Sequence, residues 1–368
     1  MSASSYFVLI SAGGTGGHMS PASALASELK ARGHRVELMT DDRGQRFAPM
    51  FNDVPIHVVK SGTAGAGIPG KIKGAINLVL GILQALKFVK SHKPDLVVGF
   101  GGYPSVPGVF AAQRLKVPTI LHEQNAIIGK ANAFLAPKAS RVALSLPYMT
   151  GLESKEQQRT LVTGNPVRPE IIALKNVDYP TISDTSSLNI LVMGGSLGAT
   201  VFSEVVPKAL AMLPEKYRAR LKVKQQCRAA DIEDARAAYK HANIDAQLFT
   251  FIDDVAAELE KAHLVIARSG ASTVAETSVA GRPAIYVPYP HHKDQQQKKN
   301  ADAIADEGGA WVMTEDGFKP EVLLTRVETF LQNPETLSRA ADNAKSCGKP
   351  DAAQRLCDLA IDVIEKRP

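Results

Sequence analysis

The chain has 368 residues, of which 45% are hydrophobic and 22% charged, and Lys plus Arg exceed Asp plus Glu by 43 to 37. This length predicts two domains, and three scattered cysteines (Cys227, Cys347 and Cys357) exclude a disulfide or cysteine-zinc framework. The first apolar run is short and follows no Lys or Arg, so we expect no signal peptide and a cytoplasmic chain. The mild basic excess favours anionic partners, whether phosphates, acidic lipids or nucleic acid.

Short β-branched runs alternate with longer helical patterns, which is typical of parallel sheets built from βαβ units. In the first half we predict strands at residues 6–10, 35–39, 56–59, 95–98, 118–121 and 141–144. In the second half we predict strands at residues 189–193, 221–224, 247–249, 263–266 and 283–287. Polar residues 174–188 predict a linker there or just before, and residues 351–366 predict a final amphipathic helix.

Two glycine-rich turns, each between a predicted strand and a predicted helix, stand nearly half the chain apart. Their sequences are Ser-Ala-Gly-Gly-Thr-Gly-Gly-His at residues 11–18 and Met-Gly-Gly-Ser-Leu-Gly-Ala at residues 193–199. Backbone N–H groups in such a turn approach a phosphate closely, and the following helix adds unpaired donors and partial positive charge. The pair predicts two nucleotide-binding α/β halves that face a shared cleft.

An NAD-type fingerprint is the main alternative for the first turn, with Asp41 or Asp42 as the ribose carboxylate. Met19 argues against this alternative, because it occupies the position where dinucleotide binding needs a small residue for helix packing. A third glycine turn, Gly-Phe-Gly-Gly-Tyr-Pro at residues 99–104, also follows a strand, and a dehydrogenase gives no reason for three.

A basic and apolar segment lies between the first and third turns. Residues 54–94 contain no acidic side chain, and the uncharged run 74–86 is shorter than the ~20 residues of a membrane span. Apolar residues cover more of the predicted helix than one core-facing side requires. We therefore predict a patch that binds a membrane surface, with a plain surface helix or an oligomer interface as alternatives. Its candidate residues are Lys71, Lys73, Ile76, Leu78, Val79, Ile82 and Lys87.

Further motifs complete a recognisable set. They are Gly101-Gly102-Tyr103, His122-Glu123-Gln124-Asn125, Gly164-Asn165-Pro166-Val167-Arg168, Arg268-Ser269-Gly270-Ala271 and Asp294-Gln295-Gln296-Gln297. With the two glycine turns, they occur in the order found in glycosyltransferase family 28, and the chain resembles that family from residue 11 to about residue 300. The resemblance implies an α/β chain of the GT-B fold, two Rossmann-like domains whose parallel sheets face a central cleft. The domains would be residues 1–166 for the acceptor and membrane and 167–345 for the donor, with residues 346–368 returning to the first domain.

The resemblance also implies an activity. The lipid I N-acetylglucosaminyltransferases of this family move N-acetylglucosamine from UDP-GlcNAc to the 4-hydroxyl of MurNAc in undecaprenyl-diphosphate-MurNAc-pentapeptide, which builds lipid II for peptidoglycan. The implied partners are UDP-GlcNAc, lipid I, an anionic membrane and other cell-wall synthesis proteins, without nucleic acid. The implied location is peripheral, on the cytoplasmic face of the inner membrane, where the product serves cell shape and division.

Donor contacts are carried over from the matching motifs. Glu276 corresponds to the ribose ligand, and a carboxylate can accept hydrogen bonds from both hydroxyls. Ile252 corresponds to the residue whose backbone pairs with uracil, and the amides of Gln296 and Gln297 suit the hydroxyls of a neutral sugar. The remaining donor candidates are Thr15, Gly16, Gly17, Asn125, Arg168, Ser196 and Ala271, with Asn300 as a weaker one.

The sequence offers no obvious ligands for a metal ion that would stabilise the leaving diphosphate. The sequence contains no Asp-x-Asp, and the pairs at residues 41–42 and 253–254 place adjacent side chains apart, which is poor for one ion. Ser196, the N–H groups of its glycine turn and Arg168 can stabilise the diphosphate instead. We expect neither a catalytic metal nor a cofactor.

An inverting transfer needs a base, and His18 is our first candidate. At the start of a helix its pKa is lowered, so the imidazole stays neutral and basic near pH 7. His18 could instead cap the helix or bind the acceptor diphosphate, and Glu123 is the second candidate base. Gly14, Thr15, Gly102 and Tyr103, together with His18, are predicted to hold the acceptor.

The sequence departs from the family's motifs at two places, and three other functions remain open. Gln225-Gln226-Cys227-Arg228 replaces the usual Gln and nearby Gly, and Pro290-His291-His292-Lys293 carries an extra residue that could shift Gln296 and Gln297 by one position. The alternatives are a diacylglycerol glycosyltransferase, a nucleotide-sugar epimerase and a non-catalytic nucleotide-sugar-binding scaffold.

Overall fold

The computed structural model describes residues 5–62, 67–195, 198–291 and 294–366. The chain forms two compact units, one made of Met1–Arg168 with Lys349–Pro368 and the other of Pro169–Gly348. Both units are parallel α/β folds.

Unit 1 is built on a seven-stranded parallel sheet. Its strands are β1 (Phe7–Ser11), β2 (Arg35–Thr40), β3 (Ile56–Val58), β4 (Leu96–Gly99), β5 (Thr119–Glu123), β6 (Arg141–Leu144) and β7 (Thr160–Val162). They lie in the order β3-β2-β1-β4-β5-β6-β7. The helices that precede Pro169 are α1 (Gly16–Ala31), α2 (Gly67–His92), α3 (Val106–Arg114), α4 (Lys130–Leu135) and α5 (Ser154–Gln157).

Helices cover both faces of this sheet. One apolar cluster joins one face to α1 and to the C-terminal helix Ala352–Glu365, and the other joins the opposite face to α2, α3 and α4. The central strands are therefore nearly continuous apolar runs, as expected for a parallel sheet buried on both sides.

Unit 2 repeats the design with six strands in the order β10-β9-β8-β11-β12-β13. The strands are β8 (Leu188–Met193), β9 (Leu221–Gln226), β10 (Asp245–Phe249), β11 (Leu264–Ala267), β12 (Ala284–Tyr286) and β13 (Ala310–Val312). The helices of this unit are α6 (Pro169–Ala173), α7 (Thr200–Ala211), α8 (Glu215–Arg218), α9 (Ile232–His241), α10 (Val255–Lys261), α11 (Ala271–Val279), α12 (Gln296–Ala305), α13 (Pro320–Gln332) and α14 (Glu335–Cys347). The C-terminal helix is α15.

The predicted strands all form, with ends that differ by at most two residues. Two strands, β7 and β13, were not predicted. Each has three residues and lies at a sheet edge. In each sheet the strand order reverses beside the first strand of the unit, β1 or β8, and ligands bind at the carboxyl ends of strands at such a point.

Arg282 is a fully buried cation that holds two helix ends of unit 2. Its guanidinium donates to the carbonyl oxygens of Leu259 at 2.6 Å, Ala280 at 2.7 Å and Glu260 at 3.0 Å. Leu259 and Glu260 stand in the last turn of α10 and Ala280 directly follows α11, where a helix leaves its carbonyls short of donors; the Leu259 carbonyl also accepts from the N–H of Ala262 at 3.2 Å.

We therefore expect Arg282→Ala to lower the free energy of unfolding by about 3–5 kcal/mol, because buried carbonyls lose their donors. Denaturant unfolding followed by fluorescence measures this. Arg236→Ala is the matched control, because Arg236 is exposed beside Glu233 and should change stability by less than about 1 kcal/mol. Equal losses in the two variants would contradict a capping role for Arg282.

Candidate active site

His18 lies in the first turn of α1, at the carboxyl edge of the unit 1 sheet. Its Nδ1 is 3.2 Å from the carbonyl oxygen of Gly13 and 3.3 Å from Oγ1 of Thr15. A carbonyl only accepts, so in the neutral ring Nδ1 carries the proton and Nε2 keeps its lone pair. Burial lowers the pKa of His18, and the helix N-terminus acts in the same direction. Across the described ranges Nε2 has no hydrogen-bond partner, so the ring is set up as a base.

Gly101 and Gly102 let the loop after β4 pack against the imidazole. Both have positive φ, 80° and 70°. A Cβ on Gly102 would lie 3.3 Å from Cε1 of His18, and one on Gly101 would lie 3.7 Å from Nε2. The third glycine turn thus shapes the surroundings of His18. Tyr103, next in the chain, is 46% exposed.

The predicted phosphate turn of unit 1 is open at its tip. Gly14 has φ 89°, a Cβ at this position would meet no atom within 4 Å, and Thr15 is exposed. Gly16 and Gly17 begin α1, so their N–H groups belong to the helix's unpaired first turn. Arg46, which the sequence analysis missed, donates to the Gly14 carbonyl at 3.4 Å and adds positive charge beside the turn.

Glu123 is buried, and donors occupy both of its oxygens. Oε1 accepts from the backbone N–H of Asn125 at 3.1 Å, and Oε2 accepts from Gly129 at 2.9 Å and from the Asn132 amide at 2.9 Å. Burial raises the pKa of Glu123, although these hydrogen bonds oppose the shift. The carboxyl group therefore holds the loop that carries Asn125. This arrangement favours His18 as the base, because the lone pair of His18 is open.

His122 links strand β5 to the segment after β7. Its Nε2 donates to the carbonyl of Gly164 at 3.0 Å, and its Nδ1 accepts from the Gln124 amide at 3.0 Å. Burial lowers the pKa of His122 to about 4, so the ring stays neutral. The sequence marked His122 only as part of a motif, and its linking role depends on the fold.

The backbone conformation of the glycine turn in unit 2 requires glycine at three positions. A Cβ on Gly194 would lie 2.4 Å from the backbone N of Ala199, and Gly195 and Gly198 have φ of 86° and 70°. The N–H of Gly194 donates to Oε1 of Gln226 at 3.2 Å, so Gln226 holds this turn. The candidate Ser196 lies outside the described residues.

Helix α11 presents its N-terminus at the carboxyl end of β11. Ala271 begins this helix, and Glu276 lies half-buried in its second turn. The buried hydroxyls of Ser269 and Ser272 have no hydrogen-bond partner in the structure, a signal that the sequence analysis missed. Unpartnered hydroxyls at a helix N-terminus suit an anionic ligand.

Arg268 fixes the loops around this helix. It donates to the carbonyls of Val287 at 3.1 Å and Pro288 at 3.2 Å and forms an ion pair with Glu315. Asn300 is fully buried and donates to the carbonyl of Ser269 at 3.2 Å. Its amide therefore holds the backbone of the turn, and the contact of Asn300 with the donor sugar stays a prediction.

The other donor candidates occupy different positions in the two units. Gln297 accepts from the N–H of Tyr289 at 2.9 Å, and both Gln296 and Gln297 are half-buried in the first turn of α12. Ile252 is buried, whereas Asn125 and Arg168 are half-buried. His292 and Lys293 lie outside the described residues, so the register of the two glutamines stays a prediction. Within the described ranges no three His, Cys, Asp or Glu side chains cluster as metal ligands would.

Helix α2 packs on unit 1 along one side and exposes an apolar row on the other. Gly74, Gly81, Ala85 and Val89 are buried, and a Cβ on Gly81 would lie 1.8 Å from the carbonyl oxygen of Lys60. The exposed row is 46–75% accessible and consists of Ile68, Ile72, Ile76, Val79, Leu80 and Leu83.

Two of the predicted patch residues do not belong to the exposed row. Leu78 packs against the core, and Ile82 is half-buried, because the buried glycines turn this side of α2 toward α3. Lys71, Lys73 and Lys87 are exposed. The helix has 26 residues, twice the length of the uncharged run, and a window of 18 residues within it has a mean hydropathy of 1.5, so by length and composition alone it is long and apolar enough to cross a membrane.

Two parallel-sheet units with glycine turns at their carboxyl edges have the GT-B fold, and the family matches identify a glycosyltransferase of that fold. Residues 8–144 match the glycosyltransferase family 28 N-terminal domain, and residues 189–356 match the family 28 C-terminal domain. The chain belongs to glycosyltransferase family 28.

Individual relatives and solved structures make the comparison more specific than the family alone. The chain is 48% identical over 354 residues to a UDP-N-acetylglucosamine--N-acetylmuramyl-(pentapeptide) pyrophosphoryl-undecaprenol N-acetylglucosamine transferase of Rhodospirillum centenum, covering 96% of this chain and 93% of the relative. The crystal structure of Acinetobacter baumannii MurG has a TM-score of 0.79 at 32% identity, covering 97% of this chain and 99% of that one. A UDP-GlcNAc 2-epimerase from Neisseria meningitidis has a TM-score of 0.66 at 14% identity over 98% and 100% of the two chains, which shows a shared fold alone.

Proposed function

We propose that this chain transfers N-acetylglucosamine from UDP-GlcNAc to the 4-hydroxyl of MurNAc in undecaprenyl-diphosphate-MurNAc-pentapeptide. The observation that carries the proposal is the 48% identity, over nearly the whole chain, to a transferase named for that reaction. The geometry adds a neutral histidine with an open Nε2 in unit 1 and unpartnered hydroxyls at the α11 N-terminus in unit 2.

In the proposed reaction His18 Nε2 accepts the proton of the acceptor 4-hydroxyl. The oxygen attacks C1 of N-acetylglucosamine as the bond from C1 to the diphosphate oxygen breaks, and UDP leaves with the electron pair. One displacement converts the α-linked donor to a β-linked product. The Gly13 carbonyl keeps the proton on Nδ1 and so keeps the lone pair on the side that meets the hydroxyl.

Donor binding is assigned to unit 2. Glu276 accepts hydrogen bonds from the ribose hydroxyls, and the backbone at Ile252 pairs with uracil. The α11 N-terminus with Ser269 and Ser272, and the turn at Gly194, stabilise the diphosphate as negative charge develops. Arg168 from the end of unit 1 is proposed as a further diphosphate ligand.

The acceptor is assigned to unit 1, where the N–H groups of Gly16 and Gly17 and the positive charge of Arg46 suit a diphosphate. Tyr103 and Gly102 border the same histidine. We assign Glu123 to positioning the loop at Asn125, because its oxygens already accept four hydrogen bonds.

Incubation of the purified chain with labelled UDP-GlcNAc and a short-chain lipid I analogue tests the function, and a disaccharide lipid is the expected product. Diacylglycerol as acceptor and UDP-GlcNAc alone are the comparison reactions. Transfer to diacylglycerol only, or epimerisation without acceptor, would replace the proposal with one of the other functions. UDP-GlcNAc binding without any turnover would favour a scaffold.

We also propose that the exposed row of α2 places the enzyme on an anionic membrane as a peripheral protein. A helix that packs along one side and exposes apolar side chains flanked by lysines is suited to the interface of a bilayer. Lysines near the surface contribute about 1 kcal/mol each.

We expect Val79→Glu with Leu83→Glu to abolish binding to vesicles rich in anionic lipid while UDP affinity is unchanged. Wild-type binding should weaken as salt rises, because the Debye length shrinks. Vesicle co-sedimentation measures both effects. Met212→Glu with Val322→Glu adds the same charge at exposed apolar sites of unit 2 and should leave binding intact. Wild-type protein that ignores anionic vesicles would remove this proposal.

A further inference from the structure

Asn165 is a buried amide with no partner on either polar atom. It is 5% exposed, and neither its Nδ2 nor its Oδ1 makes a hydrogen bond in the structure. Among the described residues, the other buried unpartnered groups are single atoms, and Asn165 alone has a whole amide without partners. A buried donor and acceptor left unpaired cost stability, so such a group calls for an explanation.

The backbone on which Asn165 stands is held in place. The carbonyl of the preceding Gly164 accepts from Nε2 of His122 at 3.0 Å and from the Thr163 hydroxyl at 3.1 Å. Gly164 has φ 88°, and a Cβ there would lie 2.5 Å from Cβ of Lys349. The amide is therefore presented by a rigid segment at the carboxyl edge of the unit 1 sheet.

The same segment is connected to the proposed base. His122 stands one residue before Glu123, which ends β5, and its carbonyl accepts from the Asn132 amide at 3.1 Å. Glu123 in turn holds Asn132, whose amide lies 3.3 Å from the Cβ position of Gly101 beside His18. The backbone that carries Asn165 is thus bonded to His122, whose neighbours along this network lie beside the proposed base.

The chemistry of the amide indicates its ligand. A phosphate could accept from Nδ2 but would leave Oδ1 unpaired, whereas a hydroxyl or a second amide can both donate and accept. We propose that Asn165 binds a hydroxyl or the N-acetyl amide of a sugar substrate, and this inference rests on the proposed function. The donor and the acceptor both carry such groups, and steady-state kinetics distinguish them.

Asn165→Leu and Asn165→Asp test the proposal. Leucine removes both unpaired atoms at similar size, so the thermal midpoint should hold or rise, while kcat/KM should fall about ten- to hundredfold because the substrate loses its partner. Asp keeps the shape and the acceptor at Oδ1 but replaces the donating Nδ2 with a second acceptor oxygen, so kcat/KM should fall as well. A rise in KM confined to UDP-GlcNAc or to the lipid I analogue identifies which sugar is bound.

Asn189→Leu is the matched control, because Asn189 stands at the amino end of β8 with one amide atom unpaired and should keep wild-type kcat/KM. Wild-type kcat/KM in both Asn165 variants would overturn the inference and leave ordered water as the partner. Lower activity with a lower thermal midpoint and unchanged KM values would also overturn it, in favour of a structural role. If the Leu variant does not fold, the Asp variant decides. Failure of the wild-type chain to make a disaccharide lipid would instead overturn the proposed function.

Discussion

His18→Ala is expected to lower kcat by about 10²–10⁴-fold, the usual contribution of a general base. Donor affinity should be unchanged, because the residues assigned to the uridine, Glu276 and Ile252, lie in unit 2 and His18 lies in unit 1. The expected pH profile follows from the lowered pKa of His18: the ring is active when neutral, so kcat/KM should stay constant above that pKa and fall as the ring is protonated in acid.

Steady-state kinetics with the lipid I analogue, and calorimetry with UDP, measure the two effects of this change. His241→Ala is the control, because His241 is exposed at the end of α9 and should leave kcat as in the wild type. A His18 variant that keeps kcat but loses acceptor affinity would make His18 a binding group. Glu123→Gln would then be tested as the base.

Glu276→Ala should weaken UDP binding about ten- to hundredfold and raise the KM for UDP-GlcNAc. The reason is that a hydrogen bond to a charged group is worth about 1.5–3 kcal/mol, and the ribose hydroxyls would lose theirs. The value of kcat with saturating donor should change little. Calorimetry of UDP binding gives the affinity directly.

Glu260→Ala is the matched control for Glu276, since Glu260 is an exposed carboxylate on the neighbouring helix α10. It should bind UDP as tightly as the wild type. Unchanged UDP affinity in the Glu276 variant would remove Glu276 from the donor site. Equal losses in both variants would point to a long-range effect of charge rather than to a contact.

The local sequence pattern was sufficient to predict much of the fold. The β-branched runs predicted both parallel sheets because strands buried on two faces must be apolar almost without interruption. The short edge strands β7 and β13 were missed, whereas β3, which is equally short and also at an edge, was predicted, so length alone does not account for the difference. The final helix was predicted from its own amphipathic pattern, but its packing on α1 follows from the fold of unit 1.

In the candidate site, too, the roles of some residues could be predicted from the sequence and the roles of others could not. The glycine turns, His18 and Glu276 could be found from the sequence, because residue type and position after a strand already limit what they can do. The direction in which Leu78 points could not, because buried glycines on α2 determine which side of the helix meets α3. Glu123 likewise changes from a candidate base to a positioning residue once its four hydrogen bonds are known.

The sequence by itself determined the α/β class, the family and the residues from which a sugar-nucleotide site can be built, since these depend on local patterns and ordered motifs. The tertiary structure decided which polar atoms remain open. His18 has an available lone pair because its other nitrogen meets the Gly13 carbonyl, and Asn165 has an unpaired amide because neighbouring backbone groups bond elsewhere. Some partners are near in the chain, such as Gly13 for His18, but others are far apart, such as Gly164 for His122, so only the folded protein determines which groups are left for a substrate.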